Sequence, residues 1–165
     1  MITPKKLSST EIEIINQSIL DELDAHYFYL SASNWAQNAG YVGAAKFFLD
    51  ESKSEQKHYQ KHADFLTGFN SVPLLPKIDA PDSRFSGYVD LFEKAYEMEN
   101  ELMRSYNLRS TKLQSGGFWA TFDHLTFFRK IQADSVMEYS DLLNKLSLSG
   151  SDRFALFYFD NTVLK

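Results

Sequence analysis

Five polar side chains in this sequence have the types and spacings of metal ligands. They are three glutamates, one histidine and one glutamine: Glu22, Glu55, His58, Glu99 and Gln132. Glu55 and His58 are three residues apart, so on a helix both side chains lie on one face and can reach the same site. Carboxylate oxygens with an imidazole and an amide suit iron or manganese, with zinc as a competitor. The sequence has no cysteine, so a metal site here must use oxygen and nitrogen ligands.

Four long helices and a short fifth one are the elements predicted to position these ligands. Only seven glycines and four prolines occur in the chain, and between them apolar residues recur at alternating steps of three and four, as in packed helices. Ser8 and Glu11 form a predicted capping box at the first helix. Three prolines within residues 73–81 predict a long crossing loop, and Gly116 and Gly117 predict a turn. The predicted helices cover residues of about 9–39, 42–67, 86–114, 118–146 and 151–164.

These elements predict an all-α protein, an antiparallel four-helix bundle with a long crossover between the second and third helices. We interpret residues 1–165 as one domain. Each long helix carries one ligand within about two residues of its midpoint, a displacement of roughly 3 Å along the axis. We therefore expect the ligands to meet at one depth in the core.

Three carboxylates buried together need a positive partner. Without one, each would cost on the order of several kcal/mol or would stay protonated. Two divalent ions nearly balance the three negative charges, and bound water or hydroxide completes the balance. We therefore predict a dinuclear site with Glu55 as the bridge. His58 and Glu22 complete one ion, and Glu99 with Gln132 nearby holds the other.

This set of residues resembles the ferroxidase centre of ferritins, and Tyr29, two turns beyond Glu22, matches the tyrosine that accompanies that centre. The resemblance covers nearly the whole chain. It includes the Gly-Ala-Ala-Lys-Phe-Phe run of residues 43–48 and the Leu-Phe-Tyr-Phe-Asp run of residues 156–160, which is similar to the fifth helix of bacterial non-haem ferritins.

The resemblance implies an iron-storing ferroxidase with two iron ions per subunit and no haem. Such proteins oxidise Fe(II) with O2 or H2O2 and deposit ferric oxide-hydroxide inside a hollow shell of 24 subunits. It also implies that the five ligands bind the iron ions and that Tyr29 belongs to the catalytic centre.

Other families that share this bundle fit the sequence less well. The axial methionine of haem-binding bacterioferritins follows the glutamate of the Glu-x-x-His motif, where this chain has Gln56. Rubrerythrin-like peroxidases need a second such motif, and the fourth helix reads Gln-Ala-Asp-Ser from Gln132. DNA-protecting mini-ferritins build their site across a dimer interface. The alternative left open is a ferritin-like shell or metal-binding protein with weak ferroxidase activity and poor mineralisation.

The sequence departs from the ferritin pattern around the predicted centre. Ser54, Lys57 and Gln60 stand where iron-storing ferritins usually carry acidic residues, which argues against strong mineral nucleation. The positions that bind a third iron in some bacterial ferritins lack a carboxylate, so we expect no third site: Ser54, Ile131 and Ser135. The turn before residue 118 and the start of the fourth helix should line a threefold channel, where Asp123 is the one negative charge. We expect slow iron loading.

Charge and hydropathy limit the partners and the location. The formal net charge is −5 with no basic block, so we expect no nucleic-acid partner. No window approaches the roughly 18 apolar residues of a membrane span, and the first residues lack the apolar run of a signal peptide. We therefore expect a cytoplasmic protein without membrane contact. We also expect His26 and His62 to make local hydrogen bonds or subunit contacts rather than to bind metal.

Overall fold

The computed structural model describes residues 1–164, which form five helices and no strand. The helices are α1 (Ser9–Ala39), α2 (Val42–Gly68), α3 (Tyr88–Ser115), α4 (Trp119–Ser147) and α5 (Arg153–Thr162). The all-α prediction is confirmed. Residues 69–87 connect α2 to α3 without a helix, as the prolines predicted. Among residues 1–164, no helix combines the length and the apolarity that crossing a membrane requires.

The first helix begins at the predicted capping box. The Ser8 hydroxyl accepts a hydrogen bond from the Glu11 backbone N–H at 3.3 Å, and the Glu11 carboxylate accepts one from the Ser8 N–H at 2.8 Å. The Thr121 hydroxyl also donates to Glu11, at 2.6 Å, which ties the start of α1 to α4. At the other end, Gly40 adopts a left-handed backbone with φ of 87° and ends the helix.

Two helix starts differ from the sequence prediction by two residues, and α4 starts one residue later than predicted, at Trp119. The third helix begins at Tyr88 rather than near residue 86, because its N-cap residue Gly87 has an extended backbone, with φ of 173° and ψ of −178°. The Asp90 carboxylate accepts from the Ser86 N–H at 2.8 Å just before this start. The fifth helix begins at Arg153 rather than near residue 151, because the Asp152 side chain caps it by accepting from the Ala155 N–H at 2.7 Å. This helix ends at Thr162, two residues earlier than predicted.

A buried carboxylate of α5 caps the amino-terminal end of α2. Asp160 accepts hydrogen bonds from the backbone N–H groups of Gly43 at 2.8 Å and Ala44 at 2.7 Å, and from the Tyr88 hydroxyl at 3.0 Å. The N-cap residue of α2, Tyr41, makes no side-chain cap hydrogen bond. A Cβ on residue 43 would lie 1.9 Å from the Asp160 backbone oxygen, so only glycine fits this approach.

Two apolar clusters fill the bundle above and below a polar layer. One includes Phe48 and Phe92, and the other includes Ile19, Leu66 and Phe128. Along each long helix, the predicted ligand lies between residues of the first cluster and residues of the second. The polar layer is therefore enclosed by apolar packing at both ends, which keeps bulk water away from it.

Candidate metal centre

Three of the predicted ligands converge in the middle of the bundle. Glu22 from α1 and Glu55 and His58 from α2 each offer a ligand atom, and these atoms lie within 4.8 Å of one another. His58 Nδ1 is 2.7 Å from Glu55 Oε2 and 3.3 Å from Glu22 Oε2. All three side chains are buried. The i,i+3 spacing on α2 thus places the imidazole and the Glu55 carboxylate beside the Glu22 carboxylate of the neighbouring helix.

One oxygen of this group lacks a hydrogen bond. Glu22 Oε2 is buried and accepts no hydrogen bond from any side chain or backbone group of residues 1–164. Its neighbour His58 Nδ1 makes its hydrogen bond to Glu55 instead. A buried carboxylate oxygen without a hydrogen bond is costly. In the metal-free chain the His58 imidazole, 3.3 Å away, offsets part of that cost, and a metal ion between these side chains would satisfy the oxygen directly.

The other two predicted ligands form a second group with Tyr29. The Gln132 side-chain Nε2 donates to Glu99 Oε2 at 2.8 Å, and the Tyr29 hydroxyl donates to Glu99 Oε1. All three residues are buried. Because Nε2 of Gln132 is the donor, its carbonyl Oε1 stays available as a ligand. The structure therefore divides the predicted set into one group of three and one of two, with Tyr29 fixing the orientation of Glu99.

The two groups interact electrostatically. Burial and the negative charges of Glu22 and, to a smaller extent, Glu99 raise the pKa of Glu55 well above its usual value. Burial likewise raises the pKa of Glu99, although hydrogen bonds from Tyr29 and Gln132 oppose the shift. Burial also acts to raise the pKa of Glu22, but the imidazoles of His58 and His62 outweigh it and the net pKa is lowered.

The same pair of carboxylates controls His58. Burial lowers the pKa of its imidazole, but Glu22 and Glu55 outweigh burial and raise the pKa to about 10. Without metal, His58 therefore carries a proton at neutral pH, and that proton neutralises part of the carboxylate charge. A metal ion bound here must replace it.

Two residues that the sequence did not place at the centre lie beside Glu22. The Tyr106 hydroxyl of α3 donates to Glu22 Oε1, and His62 Nε2 lies 3.8 Å from the same oxygen. Both side chains are fully buried. His62 is four residues after His58, so the helical repeat alone places it on the same face of α2. His62 Nε2 is also hydrogen-bonded to the Tyr106 hydroxyl at 2.8 Å, so its hydrogen bond joins α2 to α3 rather than being local.

His26, Glu51 and Tyr139 lie beside the centre. His26 Nδ1 lies 2.8 Å from the backbone carbonyl oxygen of Ser52 and 2.7 Å from the Ser52 hydroxyl. These hydrogen bonds fit the expectation that His26 makes hydrogen bonds rather than binding metal. The Tyr139 hydroxyl donates to Glu51 Oε2 at 3.2 Å. Burial and the charges of Glu99 and Glu138 raise the pKa of Glu51 to about 7. Glu51 is one turn before Glu55, a spacing that could have identified it from the sequence.

The arrangement has the chemistry of a hard-to-borderline cation site. It combines three carboxylates, one imidazole and one amide oxygen in a water-poor core, and it provides no thiolate. Carboxylates can change between terminal and bridging binding, so the site can hold ions that change charge.

A sequence profile of the ferritin family, described as a ferritin-like domain, matches residues 12–149. The chain belongs to the ferritin family. Bacterial non-heme ferritin from Campylobacter jejuni is 26% identical over 157 residues, which cover 95% of this chain and 94% of that protein. Bacterial non-heme ferritin from Staphylococcus aureus is also 26% identical, with 93% of each chain covered. A probable bacterial non-heme ferritin-like protein from Haemophilus influenzae is 25% identical over 93% of each chain.

Solved structures of other ferritins share the fold. The open-pore ferritin of Archaeoglobus fulgidus aligns with a TM-score of 0.92 at 23% identity, covering 96% of this chain and 98% of that one. A structure described as a humanized archaeal ferritin also aligns with a TM-score of 0.92, at 24% identity and with the same coverage of both chains. The predicted resemblance to the ferritin fold is thus confirmed.

Proposed function

We propose that this chain stores and detoxifies iron by oxidising Fe(II) at a two-iron ferroxidase centre and depositing ferric oxide-hydroxide in the cavity of a homo-oligomeric shell. The observation that carries the proposal is the hydrogen-bond-free Oε2 of Glu22, which faces Glu55 and His58 inside a closed apolar core. Membership of the ferritin family supports iron as the cargo.

Each ligand has a proposed role. Glu22 and His58 hold one ion, Glu99 and the Oε1 of Gln132 hold the other, and Glu55 bridges the two. Tyr29 completes the centre by holding the Glu99 carboxylate through its hydroxyl. Two ions about 3.5–4 Å apart can together give two electrons to one oxidant. O2 with two protons then becomes H2O2, and H2O2 with two protons becomes two waters.

The second candidate function is a ferritin shell that binds metal but oxidises and mineralises iron poorly. The surface next to the centre favours it, because Lys57 and Gln60 are exposed and Ser54 is partly exposed where acidic residues would attract ferric ions. We also propose that no third iron site exists, since Ile131 and Ser135 offer no carboxylate. In both candidates the shell has 24 subunits and the whole chain acts as one domain.

Loss of the ligands distinguishes the two functions. Fe(II) is added in air to the wild type, Glu55→Ala and His58→Ala, and ferric absorption is followed by stopped flow. The ferroxidase proposal expects both variants to lose nearly all fast oxidation, and the exposed control Glu101→Ala to match the wild type. Equal rates in all four proteins would favour the binding shell. Anomalous diffraction from crystals soaked in Fe(II) then tests the two ion positions directly, and an empty centre would contradict the proposal.

A further inference from the structure

An open pocket lies at the surface between α2 and α4. Its volume is about 360 Å³, and its lining includes the side chains of Lys61, Asp64 and His124 together with three phenylalanines. His124 is partly exposed, and its Nε2 lies 3.0 Å from Nδ1 of the fully buried His62. His124 therefore links this pocket, through one hydrogen bond, to the buried imidazole of His62.

The hydrogen bonds around His62 determine which of its nitrogens carries the proton. Glu22 as a carboxylate can only accept, so the single proton of the Tyr106 hydroxyl goes to Glu22. The Tyr106 oxygen must then accept from His62 Nε2, which is 2.8 Å away. His62 is therefore protonated on Nε2, and its Nδ1 directs a lone pair toward His124 and the pocket. Metal-binding histidines have the same arrangement, with the other ring N–H held by a fixed acceptor.

The separation and the surroundings of the two nitrogens suit one shared ion. Two imidazole nitrogens bound to one ion at about 2.1 Å are about 3.0 Å apart when the ligand angle is about 90°, as in octahedral or square-planar coordination, and about 3.4 Å apart at the tetrahedral angle. The 3.0 Å between His62 Nδ1 and His124 Nε2 therefore matches adjacent positions of an octahedral or square-planar ion. Phe128 stacks on His62 with a centroid distance of 3.9 Å, and Phe65 stacks on His124 at 4.0 Å. These stacked rings hold both imidazoles in place, while the pocket leaves room for water as further ligands.

We propose that His62 Nδ1 and His124 Nε2 form a binding site for a borderline divalent transition-metal ion, entered from the pocket and separate from the carboxylate-rich centre. Imidazole ligands favour ions such as Zn(II), Ni(II) and Cu(II) over Mg(II) or Ca(II). In the metal-free chain His124 donates its Nε2–H to His62, and in the bound form that proton moves to His124 Nδ1 through solvent. The site does not depend on the chain being a ferroxidase.

Zinc binding in a chain without the main centre tests this site. The variant Glu55→Ala, His58→Ala is titrated with Zn(II) by calorimetry, and the same variant is then combined with His124→Phe, which keeps an aromatic ring against Phe65. We expect one zinc per chain in the first protein. In the second protein we expect the zinc affinity to fall by more than about 100-fold. Removing a residue that only supports a ligand typically lowers affinity by roughly 10–100-fold, and His124 is proposed as a ligand itself. A matched control adds His26→Asn instead and should keep the zinc.

Crystals of the wild type soaked in Zn(II) give a second measurement that does not rely on the variants folding. We expect an anomalous peak within about 2.3 Å of both His62 Nδ1 and His124 Nε2. Equal zinc binding with and without the His124 side chain, or the absence of that peak, would overturn the proposal. Neither result bears on Fe(II) oxidation, which is measured on the wild type and the variants of the main centre.

Discussion

The carboxylate of Glu22 has different partners on its two oxygens, and this asymmetry prepares it to bind a cation. Oε1 accepts from the Tyr106 hydroxyl, whereas Oε2 accepts from no group of residues 1–164 and faces His58. The hydrogen bond on Oε1 fixes the orientation of the carboxylate, so Oε2 is held toward the place where an ion would lie. Tyr29 does the same for Glu99 on the other side of the centre.

Replacing Tyr106 by phenylalanine tests this positioning. Tyr106→Phe should keep the ring stacking with Phe128, 5.5 Å between centroids, and should lose the hydrogen bond to Glu22. We expect metal affinity at the centre to fall by about 10–100-fold, measured by anaerobic Fe(II) calorimetry. Tyr158→Phe, an exposed tyrosine on α5, is the control. Unchanged affinity in Tyr106→Phe would mean that Glu22 needs no support from this hydroxyl.

Metal binding at the centre should strengthen as the pH rises. The pKa of His58 without metal is raised to about 10, so its protonated form predominates at neutral pH and an ion must displace that proton. Below this pKa, each unit by which the pH falls increases the competition from protons, so metal affinity should decrease toward about pH 5. Calorimetry in two buffers of different ionisation enthalpy should show proton release. Fe(II) affinity that is flat between about pH 5 and 7 would contradict the assignment of His58.

At the scale of helices, local signals predicted the elements and long-range contacts escaped prediction. The capping box at Ser8 and Glu11 lies within four residues, so its pattern is visible in the sequence, and it is present as predicted. The cap that Asp160 places on α2 joins residues 117 apart. No local pattern identifies such a partner, because it depends on where α5 packs.

In the candidate site, too, local patterns predicted which residues face inward but not which distant residues contact each other. Helical repeats placed Glu22, Glu55 and His58 on inward faces, and the structure brings these three together. The repeats do not say which hydroxyl reaches which carboxylate, since that depends on how far each helix is rotated and shifted against its neighbour. The contacts of Tyr106 with Glu22 and of His62 with His124 therefore emerged only from the structure.

Removing the Asp160 carboxylate should loosen the start of α2. Asp160→Ala leaves the N–H groups of Gly43 and Ala44 and the Tyr88 hydroxyl without their acceptor. We expect the free energy of unfolding to fall by about 1–3 kcal/mol, since N-cap losses typically cost about 1 kcal/mol and burial of the unsatisfied groups adds to that cost. Denaturant unfolding measures it. The exposed Asp141→Ala on α4 is the control, and equal stability of the two variants would argue against a capping role.

At the scale of the molecule, one subunit exposes many large apolar side chains. Trp119 is 57% exposed, Phe154 77% and Phe157 55%, and further exposed apolar residues lie in the α2–α3 connection: Val72, Leu74 and Leu75. An isolated soluble chain rarely exposes so much apolar surface in groups. These surfaces support the proposed homo-oligomer, in which neighbouring subunits would cover them.

The charge at the α3–α4 turn should control how fast iron enters such a shell. Asp123 is exposed near this turn, but Lys112 in the last turn of α3 opposes its charge. We expect slow Fe(II) loading with a weak dependence on ionic strength, because a weakly acidic channel concentrates cations poorly. Lys112→Glu should speed loading and make it more sensitive to salt in stopped-flow measurements.

Lys145→Glu makes the same charge change at the far end of α4 and serves as the control. If both variants load iron at the same rate, overall charge and not the turn sets the rate. A wild-type rate equal to that of a ferritin with acidic channels, at every ionic strength tested, would also contradict the prediction.

The bond between Asp160 and the start of α2 has a consequence for the order of events during protein synthesis. A ribosome makes residue 43 long before residue 160, so the amino-terminal end of α2 leaves the ribosome without its cap. The cap forms only after α5 has been made and has folded back onto the bundle. Each newly made chain therefore completes the start of the helix that carries Glu55 and His58 as one of its last folding steps.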